Sequence, residues 1–196
     1  VKKSILDHAL KIRLPITVLV ILISYAVTFF VSRAERDGVG YTPQQPIAFS
    51  HKLHAGQMSI DCKYCHTEVE KSRHAGIPAT DICMNCHNVA RKTKPEIQKL
   101  VKFYEENKPI PWKRIHKVPD YAYFNHSVHV NKGMQCRHCH EDVATMDVVG
   151  QKHSFTMGSC LNCHRNPSEK MPDLFAGDTS KVKIKKGPEN CNACHR

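Results

Sequence analysis

No cysteine of this 196-residue chain is spare: all ten fall in five copies of one short word, "CKYCH" at Cys62, "CMNCH" at Cys83, "CRHCH" at Cys136, "CLNCH" at Cys160 and "CNACH" at Cys191. That excludes both a disulfide framework and a free catalytic thiol. Acidic side chains are short too, 18 Asp and Glu against 29 Lys and Arg, for a formal net charge of +11. No nucleic-acid-binding motif accompanies the excess, so a nucleic-acid partner has no support. Sustained hydrophobic periodicity is missing between the words, where Pro, Gly, Lys and His are frequent. About 160 residues outside the N-terminal run would suffice for an ordinary core, yet nothing in their pattern builds one.

What is present is the word itself. Two Cys separated by two residues can form thioether bonds to the two vinyl groups of one haem, and the His that follows lies where its imidazole reaches the iron. Zinc ribbons use C-x-x-C units in pairs and need no His after the second Cys, and five is odd. With His at 14 of 196 positions, five such placements arise by chance on the order of once in a million. The sequence therefore predicts five covalently attached haem c groups. They are bound through Cys62, Cys65, Cys83, Cys86, Cys136, Cys139, Cys160, Cys163, Cys191 and Cys194, with His66, His87, His140, His164 and His195 as proximal ligands. The haems must then supply the core. The expected fold class is a multihaem cytochrome c, mostly loops and short α-helices wrapped around haems, with one N-terminal transmembrane helix. Ten propionates and five ferric irons bring the net charge to about +6 oxidised and about +1 reduced, so much of the Lys and Arg is expected to neutralise propionates.

Haem attachment of this kind takes place outside the cytoplasm, and the chain has the means to get there. "LPITVLVILISYAVTFFV", Leu14–Val31, carries no charge and reaches the lower range for spanning a bilayer. Lys2, Lys3, Lys11 and Arg13 precede it, whereas Arg33 and Arg36 after it are balanced by Glu35 and Asp37, which keeps the N-terminus inside. Ser32 and Ala34 are a weak cleavage site, so the run is expected to stay as an uncleaved anchor. The expected placement is the inner (cytoplasmic) membrane, single-pass, with the haem domain on the periplasmic side and His8 on the cytoplasmic side. Val1 is not an initiator and Arg196 follows the last ligand directly, which leaves both ends open to extension.

An internal repeat organises the rest. "FSHKLHAGQMSIDCKYCHTEV", Phe49–Val69, matches "FNHSVHVNKGMQCRHCHEDV", Phe124–Val143, and each is followed by a second word. The predicted segments are a cytoplasmic N-terminus (1–13), the transmembrane helix (14–32), a tether rich in Gly and Pro (33–48), a first dihaem module (49–92), a helical connector (93–122), a second dihaem module (123–170) and a fifth-haem segment (171–196). In the connector, Pro95 suits the first turn of a helix whose apolar stripe is Ile97, Leu100, Val101 and Tyr104, stopped by Pro109 and Pro111.

The far side of each iron decides the chemistry, since two protein ligands make an electron carrier and an open position makes a reactive site. His138 sits inside its own word, badly placed for that haem's far face. Seven imidazoles remain for five positions: His51, His54, His74, His116, His126, His129 and His153. The duplicated pairs His51/His54 and His126/His129 are the expected ligands, with His74 and His116 after them, and His153 is left open. Met157, three residues before Cys160, is either an axial thioether that raises one haem's potential or a soft side chain packed on a haem face. At about 10 Å spacing and an effective dielectric of about 20, two irons interact by about 1.7 kcal/mol, equivalent to about 70 mV for one electron, so the titration should spread over a wide range.

The "F-x-H-x-x-H … C-x-x-C-H" arrangement resembles the class III multihaem cytochromes, the c3 and c7 group. The resemblance implies that His51 serves the Cys62/Cys65 haem and His126 the Cys136/Cys139 haem, while His54 and His129 each cross to another. With one anchor, five words and the phrases "AGIPATDICMNCH", "YFNHSVH" and "TMGSCLNCHRNP", nearly the whole chain is similar to the pentahaem cytochrome c subunit of alternative complex III. That implies an electron relay within a quinol-oxidising respiratory complex. Its partners would be integral-membrane quinol-oxidising subunits and an iron-sulfur subunit, and its acceptor a monohaem cytochrome c or terminal oxidase. On this reading the chain has no catalytic residues of its own. The alternative is a membrane quinol dehydrogenase of the NapC/NrfH type, a family that typically has four words and an unusual ligand at the first. A small-molecule reductase would need an open haem, and no word here has Lys in place of His.

Overall fold

The computed structural model describes residues 7, 9–175 and 186–196; His8 lies outside them, as does part of the fifth-haem segment. The chain divides into two units, Val1–Gly38 and Val39–Arg196.

In the first unit a π-wound turn at Ala9–Arg13 leads into α1, Leu14–Asp37. The span Leu10–Val31 is long and apolar enough to cross a membrane: 22 residues at 1.5 Å each give about 33 Å, against a hydrocarbon thickness of about 30 Å. Leu14, Ile16, Leu19, Ile21, Leu22, Phe30 and their neighbours are all exposed. An apolar surface on every side of a helix is stable only in lipid or against a partner.

The second unit contains no strand among the described residues, only an isolated antiparallel bridge between Ala122 and His195. Its helices are short: α2 (Cys62–Cys65), α3 (Thr80–His87), α4 (Pro95–Glu105), α5 (His126–Asn131), α6 (Arg137–His140), α7 (Met157–Arg165), α8 (Pro167–Lys170), α9 (Pro172–Phe175) and α10 (Cys191–Cys194). A π-wound turn at Lys52–Gln57 precedes α2. This is a loop-and-short-helix architecture with one long apolar helix, as the words and the missing periodicity predict.

The protein's own core is small. Ile47, Leu100 and Ile110 are buried together, with Cys83, Met84, Phe103 and Trp112 packed against them. Helix α4 carries that cluster: Pro95 opens it, where its missing N–H costs nothing, and Leu100 is 4% exposed. The stripe is rotated from the one read in sequence, because Tyr104 is 42% exposed and Phe103 packs inward instead.

The segment before the first module is extended but tied down. Gly40 N–H donates to Gln151 O (2.8 Å), and Gln151 N–H to Tyr41 O (3.1 Å). Gln45 exchanges two 2.9 Å hydrogen bonds with the backbone of Lys113. Ala48 N–H donates to Glu96 Oε2 at 2.7 Å.

Candidate haem sites

Each word lies on a helical turn. In α2, α6 and α10 the turn is little more than the word itself; in α3 and α7 the word ends a longer helix. Asp61 starts α2 by accepting from Lys63 N–H at 2.7 Å, and Thr156 does the same for Ser159 N–H ahead of the fourth word. The His amide then donates to the carbonyl of the first Cys: His66 to Cys62 (2.9 Å), His140 to Cys136 (2.9 Å), His195 to Cys191 (2.8 Å). Helical spacing puts the two Cys three apart on one face with the His one turn on, which is the donor set a covalently held haem requires.

The imidazoles are oriented by backbone carbonyls. Nδ1 of His66 meets Gly76 O at 2.7 Å, His87 Ala90 O at 3.1 Å, His164 Pro188 O at 2.7 Å and His195 Tyr121 O at 3.1 Å. Outside the words, Nδ1 of His54 meets Ser50 O (2.9 Å), His126 Arg73 O (2.8 Å) and His129 Asn125 O (2.7 Å). A carbonyl only accepts, so Nδ1 carries the hydrogen and Nε2 keeps its lone pair for a metal. Gly76 reaches this position through a left-handed backbone, φ 77°.

The repeat is built twice in space. His51 stands edge-on to Phe49 (4.9 Å, 89°) as His126 does to Phe124 (4.8 Å, 87°); His54 stacks on Phe49 (4.4 Å, 26°) as His129 does on Phe124 (4.6 Å, 27°). Across elements, ring centres stand 6.1 Å apart for His54 and His87, 6.2 Å for His129 and His164, and 6.3 Å for His126 and His140. Two imidazoles bound through Nε2 on opposite faces of one metal, with bonds of about 2.0 Å, have centres about 6.3 Å apart. His51 lies close enough to His66 for their charges to interact; burial, then that neighbour, pushes its pKa down to about 4. Burial also takes His140 down to about 3 and the Cys139 thiol up to about 11. Neutral imidazole is the form that binds a metal.

The other candidates are placed differently. His116 sits 4.3 Å from His140, nearly perpendicular to it, too near for a ligand on the opposite face, and its buried Nε2 has no hydrogen-bond partner. His74 is exposed. His153 Nε2 is engaged by Ser159 Oγ at 3.0 Å. Met157 opens α7 with 64% of its surface exposed. His138 accepts from Gln135 N–H at Nδ1 (3.1 Å) and faces Asp173 with Nε2 (3.2 Å), so both its nitrogens are committed.

Neighbouring words touch. Asn85 Nδ2 of the second donates to Tyr64 Oη of the first at 3.1 Å. Beyond the first word, the carbonyls of Arg73, Ser72 and Glu70 accept from His126, Ser127 and Asn131 ahead of the third. Arg137 in the third binds Asp173, just past the fourth, at 2.6 Å. Arg165, after the fourth, binds Glu189, just before the fifth, at 2.7 Å. The acidic partner of Arg137 and the carbonyl partners of the imidazoles carry no motif in sequence; only the Gly of "HAGIP" hints at a special backbone. Beside His87, a cleft of about 390 Å³ is lined by Met84, Val101 and Tyr104 together with the charged Lys92, Lys102 and Glu105.

Residues 122–196 match the family model for cytochrome c7 and related cytochrome c, and residues 28–110 that for the class III cytochrome C family. Among characterised relatives, the multihaem cytochrome c subunit of menaquinone reductase from Nitratidesulfovibrio vulgaris is 32% identical over 144 aligned residues, covering 63% of this chain and 69% of that protein.

Proposed function

This chain belongs to the multihaem cytochromes c of the class III and c7 type, and from that premise we propose that it is a membrane-anchored pentahaem carrier that relays electrons within a quinol-linked respiratory complex. Haem c, held by the ten cysteines, supplies one-electron iron chemistry. The observation that carries the reading is the set of seven imidazoles whose Nδ1 is committed to a carbonyl, together with three imidazole pairs at the separation of ligands across one metal. We assign His54 to the second word, His126 to the third and His129 to the fourth, and His51, by the repeat, to the first.

The residues do three things. Paired Cys would fix each group in place, imidazole pairs would close both iron faces at the first four words so that small molecules do not bind there, and contacts between words keep neighbouring words close. Held in this way, an iron would change charge without changing ligands, which suits fast transfer. The apolar helix anchors the chain with its haem domain on the periplasmic side.

The complex we favour is alternative complex III, with quinol oxidised in integral-membrane partners, an iron-sulfur subunit beside this one, and a monohaem cytochrome c or terminal oxidase as acceptor. The name of the relative supports a second reading, in which electrons run toward menaquinone. The test is to purify the haem-loaded chain with its native partners. Quinol should reduce its haems only in the complex, and added cytochrome c should reoxidise them. Reduction of the isolated chain by quinol favours a dehydrogenase of its own; electron flow only from cytochrome c to menaquinone favours the second reading. A high-spin fraction in the oxidised protein opposes the closed-site relay.

A further inference from the structure

Four of the five words have an imidazole within reach of the proximal His, paired by ring spacing or, for His51, by the repeat. The fifth does not. Among the described residues, the ring contact of His195 is with Tyr121, 5.9 Å away and inclined by 26°, and the unassigned imidazoles are elsewhere. His116 is packed on His140 and Phe155. His153 lies 5.6 Å from Phe155 with its Nε2 on Ser159. His74 is exposed, in the loop whose Arg73 carbonyl holds His126.

The fifth word itself pairs with residues 121–123, through the Ala122–His195 bridge and the Tyr121 carbonyl, and the segment that leads into it runs along the end of helix α7. Gly187 N–H donates to His164 O (2.9 Å), Pro188 O accepts from His164 Nδ1 and Glu189 binds Arg165, which leads the chain back along α7 into Cys191. At the other end of that word, Cys194 is close enough to Cys160 for its charge to act on the thiol. Three residues earlier on the same helix face is Met157. Its side chain is not spent on the protein's own core, since 64% of its surface is exposed, and a thioether is a good sixth ligand for haem iron.

Resting on the pentahaem reading, we infer that Met157 Sδ is the distal ligand of the haem held by Cys191 and Cys194, so that the fifth site is His195/Met157 while the other four are closed by imidazole pairs. A thioether favours ferrous iron, so the fifth site is the high-potential end of the array. An electron resting there is in position to leave toward an acceptor.

The test uses the haem-loaded chain, checked by mass for five bound haems. A smaller number overturns the pentahaem reading itself, an outcome distinct from loss of the thioether ligand alone. In the parent protein the oxidised spectrum should show the near-infrared charge-transfer band of ferric haem with a thioether ligand. M157L should abolish that band and turn one haem in five high-spin. M157H should abolish it, keep all five low-spin and move the highest midpoint potential down among the others. H153Q should leave band and potentials unchanged. Five haems with no thioether band, or M157L with every potential and spin state unchanged, overturns the assignment, as does a spin-state change in H153Q equal to that expected of M157L.

Discussion

The rings of His54 and His87 stand 6.1 Å apart, centre to centre, although one precedes the first word and the other ends the second. With Nδ1 of each on a carbonyl, Ser50 O and Ala90 O, their free nitrogens suit one shared iron. Replacement of His54 by Ala should convert one haem in five to high spin while all five stay covalently attached, and H129A should do the same for a different haem. The double variant should show two in five. Electron paramagnetic resonance of the oxidised protein with a mass measurement reads both quantities, and H138A, whose nitrogens are already engaged, should show none.

Gly187 has no room for a side chain: a Cβ there would run into the His164 ring. G187A should push Pro188 O away from His164 Nδ1. An imidazole that loses its carbonyl acceptor is a weaker donor to iron, so one midpoint potential should rise while the rest hold. Potentiometric titration followed in the visible bands checks this, and an unchanged set of potentials would refute it.

The small core makes its members costly to lose. L100A removes the most buried residue of the Ile47–Leu100–Ile110 cluster and should destabilise the second unit by about 2–4 kcal/mol. Because Met84 and Cys83 pack on the same cluster, the second word should loosen first. Denaturant titration followed by circular dichroism gives the energy, and hydrogen exchange at residues 80–87 gives the location.

Asp173 ties the third word to the segment after the fourth. Its carboxyl is held below the ordinary carboxylate range by the hydrogen bond from His138, with Arg137 adding to it. A depressed folded value means that the tie stabilises above the unfolded pKa of about 3.9 and fades as pH falls through the folded one. D173N should therefore melt slightly below the parent at neutral pH and together with it in strong acid. The exposed position makes the neutral-pH difference small. A gap that persists at the lowest pH would point to packing instead of charge.

Much of the site is written in local spacing. The five words and the two F-x-H-x-x-H phrases are one-turn patterns, and short helices realise them, or a π-wound turn for the first phrase. The connector helix was legible from Pro95 and its stripe, yet its phase was off by one residue because burial of Phe103 depends on Trp112 and Ile110, which no local pattern specifies. What could not be read was who meets whom. Many imidazoles are held by loops whose contribution is a backbone carbonyl, which every residue type has, and the pairing of His129 with His164 and the side-chain ties between words join positions far apart in the chain. The ties of Gln45 to Lys113 and Ala48 to Glu96 escaped because they too join positions far apart in the chain.

That reliance on carbonyls has a consequence for how such chains diverge. Since Gly76, Ala90, Arg73, Tyr121 and Pro188 hold imidazoles through main-chain oxygen, most of their side chains are free to drift without detuning the metal centres. Homologues can therefore lose almost all resemblance between the words and still conduct alike, provided insertions and deletions leave those loops at their present lengths.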